Sequence, residues 1–171
     1  MRRTTFFFIS LLITLCCFGQ KGILIEAESF ENKGGWVLDQ QFIEQMGSPF
    51  LLAHGSGKPV ADAITKINIP RTGEWHVYAR TWNWCSPWSK EHKPGLFKIS
   101  LNGISLENDL GTGNAWDWEY AGNIELKKGE AELTLRDLTG FAGRCDAIFL
   151  TQENGVSIPN EGENLSHFRK K

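Results

Sequence analysis

Residues 129–151 read GEAELTLRDLTGFAGRCDAIFLT, and they hold two strands and the loop between them. Over 130–137, Ala131, Leu133 and Leu135 point one way while Glu132, Thr134 and Arg136 point the other. That period of two marks a strand with one buried face. Residues 147–151 form a short apolar run that predicts a core strand. Between them, TGFAGR sets Phe141 close to two glycines and ends on Arg144, and Asp146 opens the last strand. A Gly, Phe and Arg loop leading to an acid at a strand edge is a candidate ligand-facing surface. Asp146 can also reach back to acids near the start of the chain.

The same alternation recurs upstream. Residues 22–30 set Ile23, Ile25 and Ala27 on one face and Leu24, Glu26, Glu28 and Phe30 on the other, which predicts a strand. Further strands are predicted over 36–42, 50–53 and 63–69, separated by Gly- and Pro-containing turns. Residues 74–82 alternate most clearly, and the polar stretch 83–95 that follows reads as a long surface loop. Asn102-Gly103 between 96–101 and 104–106 is a strong short hairpin signal. Residues 111–118 read as a loop and 119–126 as a strand. Strands about every ten residues, with no 3.6-residue pattern of useful length before the tail, predict an all-β chain. The expected architecture is a β-sandwich or jelly roll spanning 20–153. From 154 to 171 the chain turns polar and reads as a linker or tail with room for a short helix.

The 171 residues suffice for one domain, and 41% hydrophobic content suffices for a core. Arg2 and Arg3 before an apolar run read as a signal peptide over 1–19, cut before Gln20. The run is too short for a membrane span, which needs roughly 18 apolar residues or more. An exported protein, periplasmic or extracellular, is therefore expected. A lipid anchor on Cys16 or Cys17 is the alternative, disfavoured because the residues before each, Leu15 and Cys16, are not the usual small ones. Removing 1–19 takes two positive charges and no acid, so the net charge moves from −2 to −4. Such a domain lacks the basic footprint of a nucleic-acid binder. Cys85 and Cys145 remain, and in an exported protein either a disulfide or two separate thiols fits.

No catalytic pattern stands out. Residues 55–58, GSGK, resemble a phosphate loop, but Leu52 and Pro59 stand where a glycine and a hydroxyl residue are needed. Gly111-Thr112-Gly113 begins a dinucleotide fingerprint that Trp116 breaks. His54 and Ser56 are too close in sequence to form a hydrolase pair, and the four histidines lack metal spacing. The tryptophans say more. Trp82, Trp84, Trp88, Trp116 and Trp118 lie in or beside two predicted loops. A flat ring can stack on the C–H face of a sugar while neighbouring polar groups bond its hydroxyls. The competing reading is that these rings cap the open end of a sandwich. Glu26 and Glu28, at i and i+2, stand about 6.6 Å apart along a strand and could close on one ion or form a solvated face.

Four segments carry a family likeness: IEAE at 25–28, VADAITKINIPRTGEWHVYAR at 60–80, the Trp116/Trp118 pair, and CDAIFL at 145–150. In order and spacing they resemble carbohydrate-binding modules of families six and thirty-five, which are jelly rolls of the galactose-binding type. The resemblance runs from Gly22 to Gln152. It implies a structural calcium held by Glu26, Glu28 and Asp146. It also implies a glycan site built from Trp84 and Trp116 or Trp118, with Arg144 at a position where the family commonly has Asn. An arginine there implies an acidic sugar. The loop reading above adds Trp88 and Phe141 as ligand contacts. The phrases GSPFLLAHG, GKPVADA and DLTGFAGRCDAI further resemble the β-module that precedes a FAD-dependent oxidoreductase domain in bacterial polysaccharide-degrading systems. That likeness implies an accessory or docking module beside an oxidoreductase. With no G-x-G-x-x-G, FAD binding by this chain itself is not expected.

Overall fold

The computed structural model describes residues 22–85, 87–88, 94–160 and 165. The signal peptide expected over 1–19 lies outside them. Strands β1 (Ile23–Glu26), β2 (Trp36–Asp39), β3 (Phe50–Ala53), β4 (Ala63–Ile69) and β5 (Gly73–Thr81) come first, with one short helix, α1 (Ile43–Met46), between β2 and β3. Strands β6 (Phe97–Leu101), β7 (Ile104–Ser105), β8 (Asp117–Leu126), β9 (Gly129–Asp137), β10 (Gly143–Cys145) and β11 (Ala147–Thr151) follow. All named pairings are antiparallel, in the orders β1-β11-β5-β8, β10-β3-β2 and β4-β9-β6-β7. The protein is an all-β sandwich.

The two strands of 129–151 sit where their patterns require. On β9, Ala131, Leu133 and Leu135 are buried while Glu132 and Arg136 are exposed, and the strand lies between β4 and β6. On β11 every residue is buried, so a continuous apolar run replaces alternation. Ile148 and Leu150 enter the main core with Val77, Ile99, Leu101 and Leu133, and residues of all three sheets share that core. Phe149, on the opposite face of β11, packs edge-on against Trp118 at 6.2 Å. The hairpin signal also holds: Asn102 and Gly103 take φ of 50° and 78°, the left-handed pair that joins β6 to β7.

Three local expectations are corrected. The strand predicted over 22–30 stops at Glu26, where the chain enters a 3₁₀ turn over Ala27–Ser29 closed by Phe30 N donating to Ala27 O. Glu26 and Glu28 therefore do not share a strand face. The strand predicted over 36–42 ends at Asp39 and gives way to α1, which packs Met46 into a second apolar cluster with Phe50 and Trp116. Part of the loop before Asp146 is itself a strand, β10, paired with β3.

Replacing Leu133, fully buried in the middle of β9, with alanine should cost about 2–5 kcal/mol of stability in urea denaturation. Glu132→Ala on the exposed face should change it by less than about 0.5 kcal/mol.

Candidate functional site

Three loops meet at one end of the sandwich: 54–62 after β3, the described residues of the stretch after β5 (82–85, 87–88 and 94–96) and 138–142 after β9. A buried carboxylate ties two of them together. Asp137, the last residue of β9, accepts from Thr139 N and Gly140 N through Oδ1 and from Val60 N through Oδ2, at 2.9–3.1 Å. Gly140 O then accepts from Gly55 N and Gly57 N. At Gly140, φ is 68° and an added Cβ would lie 2.1 Å from the Lys58 carbonyl, so only glycine allows this approach. The loop after β5 is fixed by Asn83, whose amide donates to Pro94 O and Gly111 O while its oxygen accepts from Cys85 N. Thr139 Oγ1 accepts from Gly95 N and links that loop to the one after β9.

These loops enclose an open groove of about 720 Å³ lined by His54, Cys85, Trp88, Pro94, Thr139 and Phe141 among others. Trp88 is 75% exposed, and Trp84 and Phe141 are also exposed. His54 packs on Phe141 at 4.9 Å between ring centres, and Trp84 meets Trp88 edge-on at 5.7 Å. Arg144 lies behind them. Its guanidinium carbon is 5.5 Å from the Trp84 ring centre, Nη1 donates to Ala142 O, and the side chain is 94% buried. Burial lowers the pKa of this guanidinium, opposed by the neighbouring Cys85 and Asp39. Burial likewise raises that of the Cys85 thiol, partly offset by Arg144.

Of the six residues expected to bind ligand, Trp88 and Phe141 line the groove, Trp84 adjoins it, and Arg144 supports Trp84. Trp116 is placed elsewhere. It is 5% exposed and packs against Phe42, Phe50 and Trp82 at 5.2–5.9 Å. It fills the small core that α1 covers, and no signal for α1 was visible in the sequence. Trp118 is half-buried on β8, where Nε1 donates to Pro159 O at 2.9 Å, so it does not line the groove. His54 and Thr139 were not among the expected ligand residues. Their signal was their place in Gly-rich loops next to strand ends. Cys85 and Cys145 are separate buried thiols.

The acids gather at a second place. Helix α1 ends at Gly47, with φ of 80°, and this turn brings Ser48 Oγ to 3.4 Å from both Glu26 Oε2 and Asp146 Oδ1. Asp146 Oδ2 accepts from Arg80 Nη1 at 3.3 Å, an ion pair with both side chains buried. The thiol of Cys145 is raised well above its ordinary 9.0, first by burial and then by the charges of Asp146 and Glu28. Glu28 therefore belongs to the same neighbourhood. Among the described residues, no three His, Cys, Asp or Glu side chains form a ready-made metal group.

No family model matches the chain, and no curated protein sequence matches it significantly. Solved structures do. A GH26-CBM35 β-(1,4)-mannanase from Podospora anserina superposes with a TM-score of 0.61 at 18% identity, over 82% of this chain and 29% of the mannanase. A family 35 carbohydrate-binding module from Clostridium thermocellum matches with a TM-score of 0.57 at 17% identity, over 77% of this chain and 98% of the module. The C-terminal CBM6 of a marine laminarinase from Zobellia galactanivorans gives 0.53 at 18% identity, over 77% and 99%. This chain shares the fold of those modules. It spans less than a third of the mannanases that head the comparison, at 29% and 27% of their lengths.

Asp137→Ala should leave three backbone N–H groups without their acceptor and lower stability by about 2–4 kcal/mol in urea. Stability should also depend on alkaline pH. A thiol with a raised pKa in the folded state stabilises below its unfolded pKa, and that contribution is lost as pH climbs toward the folded value. The urea midpoint should therefore fall as pH rises beyond the ordinary thiol value of 9.0. In Cys145→Ala it should fall less steeply.

Proposed function

We propose that this chain is a non-catalytic carbohydrate-binding module that takes a glycan in the groove beside Trp88 and Phe141. The observation that carries the proposal is the set of exposed rings, Trp84, Trp88 and Phe141, around an open groove at the loop end of this fold. Rings held at fixed angles offer apolar platforms for the C–H faces of sugar rings. Ser56, Thr139 and His54 supply hydrogen-bonding groups at the groove wall for hydroxyls. Arg144 acts through Trp84, holding that ring from behind. The fold shared with modules from mannan- and laminarin-related enzymes supports the reading, and so does the resemblance of residues 22–152.

The proposal includes one calcium ion at Glu26, Glu28 and Asp146. The donors there are carboxylates and the Ser48 hydroxyl, all hard oxygens of the kind calcium takes. Three carboxylates against the single guanidinium of Arg80 leave two negative charges, which a divalent cation balances. When bound, the ion would cross-link the end of β1, the turn after α1 and the start of β11. Export through removal of 1–19 completes the picture, and N-terminal sequencing of secreted protein should then begin at Gln20. The accessory role beside a FAD-dependent oxidoreductase rests on the sequence phrases alone.

Screening the chain on a glycan array in calcium should give binding. Trp88→Ala and Phe141→Ala should each weaken it tenfold or more, since an aromatic platform contributes about 1.5–3 kcal/mol. Trp118→Ala should retain it. Silence across the array from folded protein would overturn the glycan reading. Calcium at about 100 times its dissociation constant should raise the melting midpoint by roughly 5–10 °C over the chelated protein. Equal midpoints would remove the ion.

A further inference from the structure

We propose that Glu119 is a positioning residue for the groove, setting the turn that carries Trp84 and Trp88 through the loop 111–113 and Asn83; its effect on a ligand rests on the glycan reading above. On β8, Glu119 pairs with Ala79, whose side chain is fully buried, so the register turns the carboxylate toward the inner face at the strand's end. A half-buried carboxylate there needs donors. The loop Gly111-Thr112-Gly113 supplies them. Oε2 accepts from Gly111 N at 2.9 Å and Oε1 from Gly113 N at 2.7 Å. Thr112 N reaches both oxygens, and Thr112 Oγ1 reaches Oε2. Three successive backbone N–H groups converging on one place form an anion-binding nest. The Gly-Thr-Gly stretch, which begins a dinucleotide fingerprint in the sequence, thus holds an anion from its own chain.

The carbonyls of the same loop serve Asn83. Gly113 O accepts from Asn83 N and Gly111 O from Asn83 Nδ2, each at 2.8 Å. Asn83 is buried, and its Oδ1 accepts from Cys85 N at 3.1 Å. Cys85 O in turn accepts from Trp88 N at 3.0 Å. A continuous run of hydrogen bonds therefore joins the Glu119 carboxylate to the backbone of the exposed ring Trp88. At Gly111, φ is 79° and an added Cβ would lie 2.2 Å from Gly95 O, so the loop also sits directly against the stretch after β5.

The carboxylate acts through both of its oxygens. A glutamine of the same length keeps one acceptor and turns the other into an NH₂ donor, which cannot accept from the N–H groups on its side. Half of the nest then opens, the carbonyls that hold Asn83 lose their fixed place, and Trp88 loses its own.

The test labels the full chain with 5-fluorotryptophan and follows the fluorine resonance of Trp88, assigned with Trp88→Phe, beside amide hydrogen exchange. In Glu119→Gln the Trp88 resonance should shift or broaden, and the Trp88 amide should exchange about tenfold faster. The resonance of Trp75, buried in the core, should stay in place. Thr112→Val, an exposed position that loses only the Oγ1 contact, should move the Trp88 resonance in the same direction by less. Glu125→Gln, exposed further along β8, should move neither. A merely structural role would lower the urea midpoint and leave the folded-state resonance where it is. An unmoved Trp88 resonance in folded Glu119→Gln would overturn the relay, as would an unmoved one in Thr112→Val if Glu119→Gln does not fold. On the glycan array, the protein concentration for half-saturation should rise roughly three- to tenfold in Glu119→Gln. Equal binding would overturn its role in recognition. Silence from the unsubstituted chain would overturn the glycan reading, while the resonance still decides the relay without a ligand.

Discussion

A carboxylate buried at the end of a strand has to be met by hydrogen-bond donors, and at Asp137 those donors are backbone N–H groups from two loops. The requirement is strict because an unsatisfied buried charge costs several kcal/mol. Meeting it with Val60, Thr139 and Gly140 draws the loop after β3 onto the loop after β9. That contact lets Gly140 O accept from Gly55 and Gly57, and it brings His54 against Phe141. One wall of the groove thus follows from one side chain. The other wall depends on Asn83, which fixes the turn carrying Trp84 and Cys85. The exposed rings are therefore presented on loops whose bases are locked.

The second buried charge is solved differently. Arg80 and Asp146 pair beside β5 and β11, and Asn160, outside the sheets, accepts from two further guanidinium donors. The ion pair is thus a joint between the sandwich, the acid cluster near Ser48 and the tail. Buried pairs of this kind do little for net stability against an apolar replacement, and their value lies in fixing one arrangement of the groups around them. Here Asp146 Oδ2 lies 3.3 Å from Arg80 Nη1 while Oδ1 lies 3.4 Å from Ser48 Oγ.

Much of the fold was legible because burial imposes a period on the sequence. Strand β9 alternates, β11 is apolar throughout because both its faces are covered, and Asn102-Gly103 marks its hairpin through the left-handed φ it must adopt. What was not legible depends on contacts between distant segments. The four residues of α1 are too few to show a helical period, and the helix is held by packing Met46 against Phe50 and Trp116. The same packing buries Trp116, so for this ring the capping reading holds and the ligand reading does not. Strand β1 ends at Glu26 in a 3₁₀ turn over Ala27–Ser29, so Glu26 and Glu28 do not share a strand face, and it is Ser48 Oγ that links Glu26 to Asp146. The groove was legible in part: Trp84, Trp88 and Phe141 from residue type and loop context, but not His54 or Thr139, which only the closing of the loops brings there.

The position of Arg144 bears on what such a groove selects. From sequence, an arginine before the last strand implied an acidic sugar. In the fold it lies behind Trp84, with one donor on Ala142 O and 94% of the side chain out of solvent. A cation so placed orients the ring and leaves little surface to offer a carboxylate. Among the described residues, the groove wall consists of rings, hydroxyls, a proline, a thiol and an imidazole, with no carboxylate. Under the glycan reading proposed above, the described part of the wall would sort ligands by the shape of the sugar face that fits between Trp88 and Phe141 and by where its hydroxyls fall. The scaffold itself is shared at 17–18% identity with the three solved structures compared above, and specificity belongs to a site rather than to a fold.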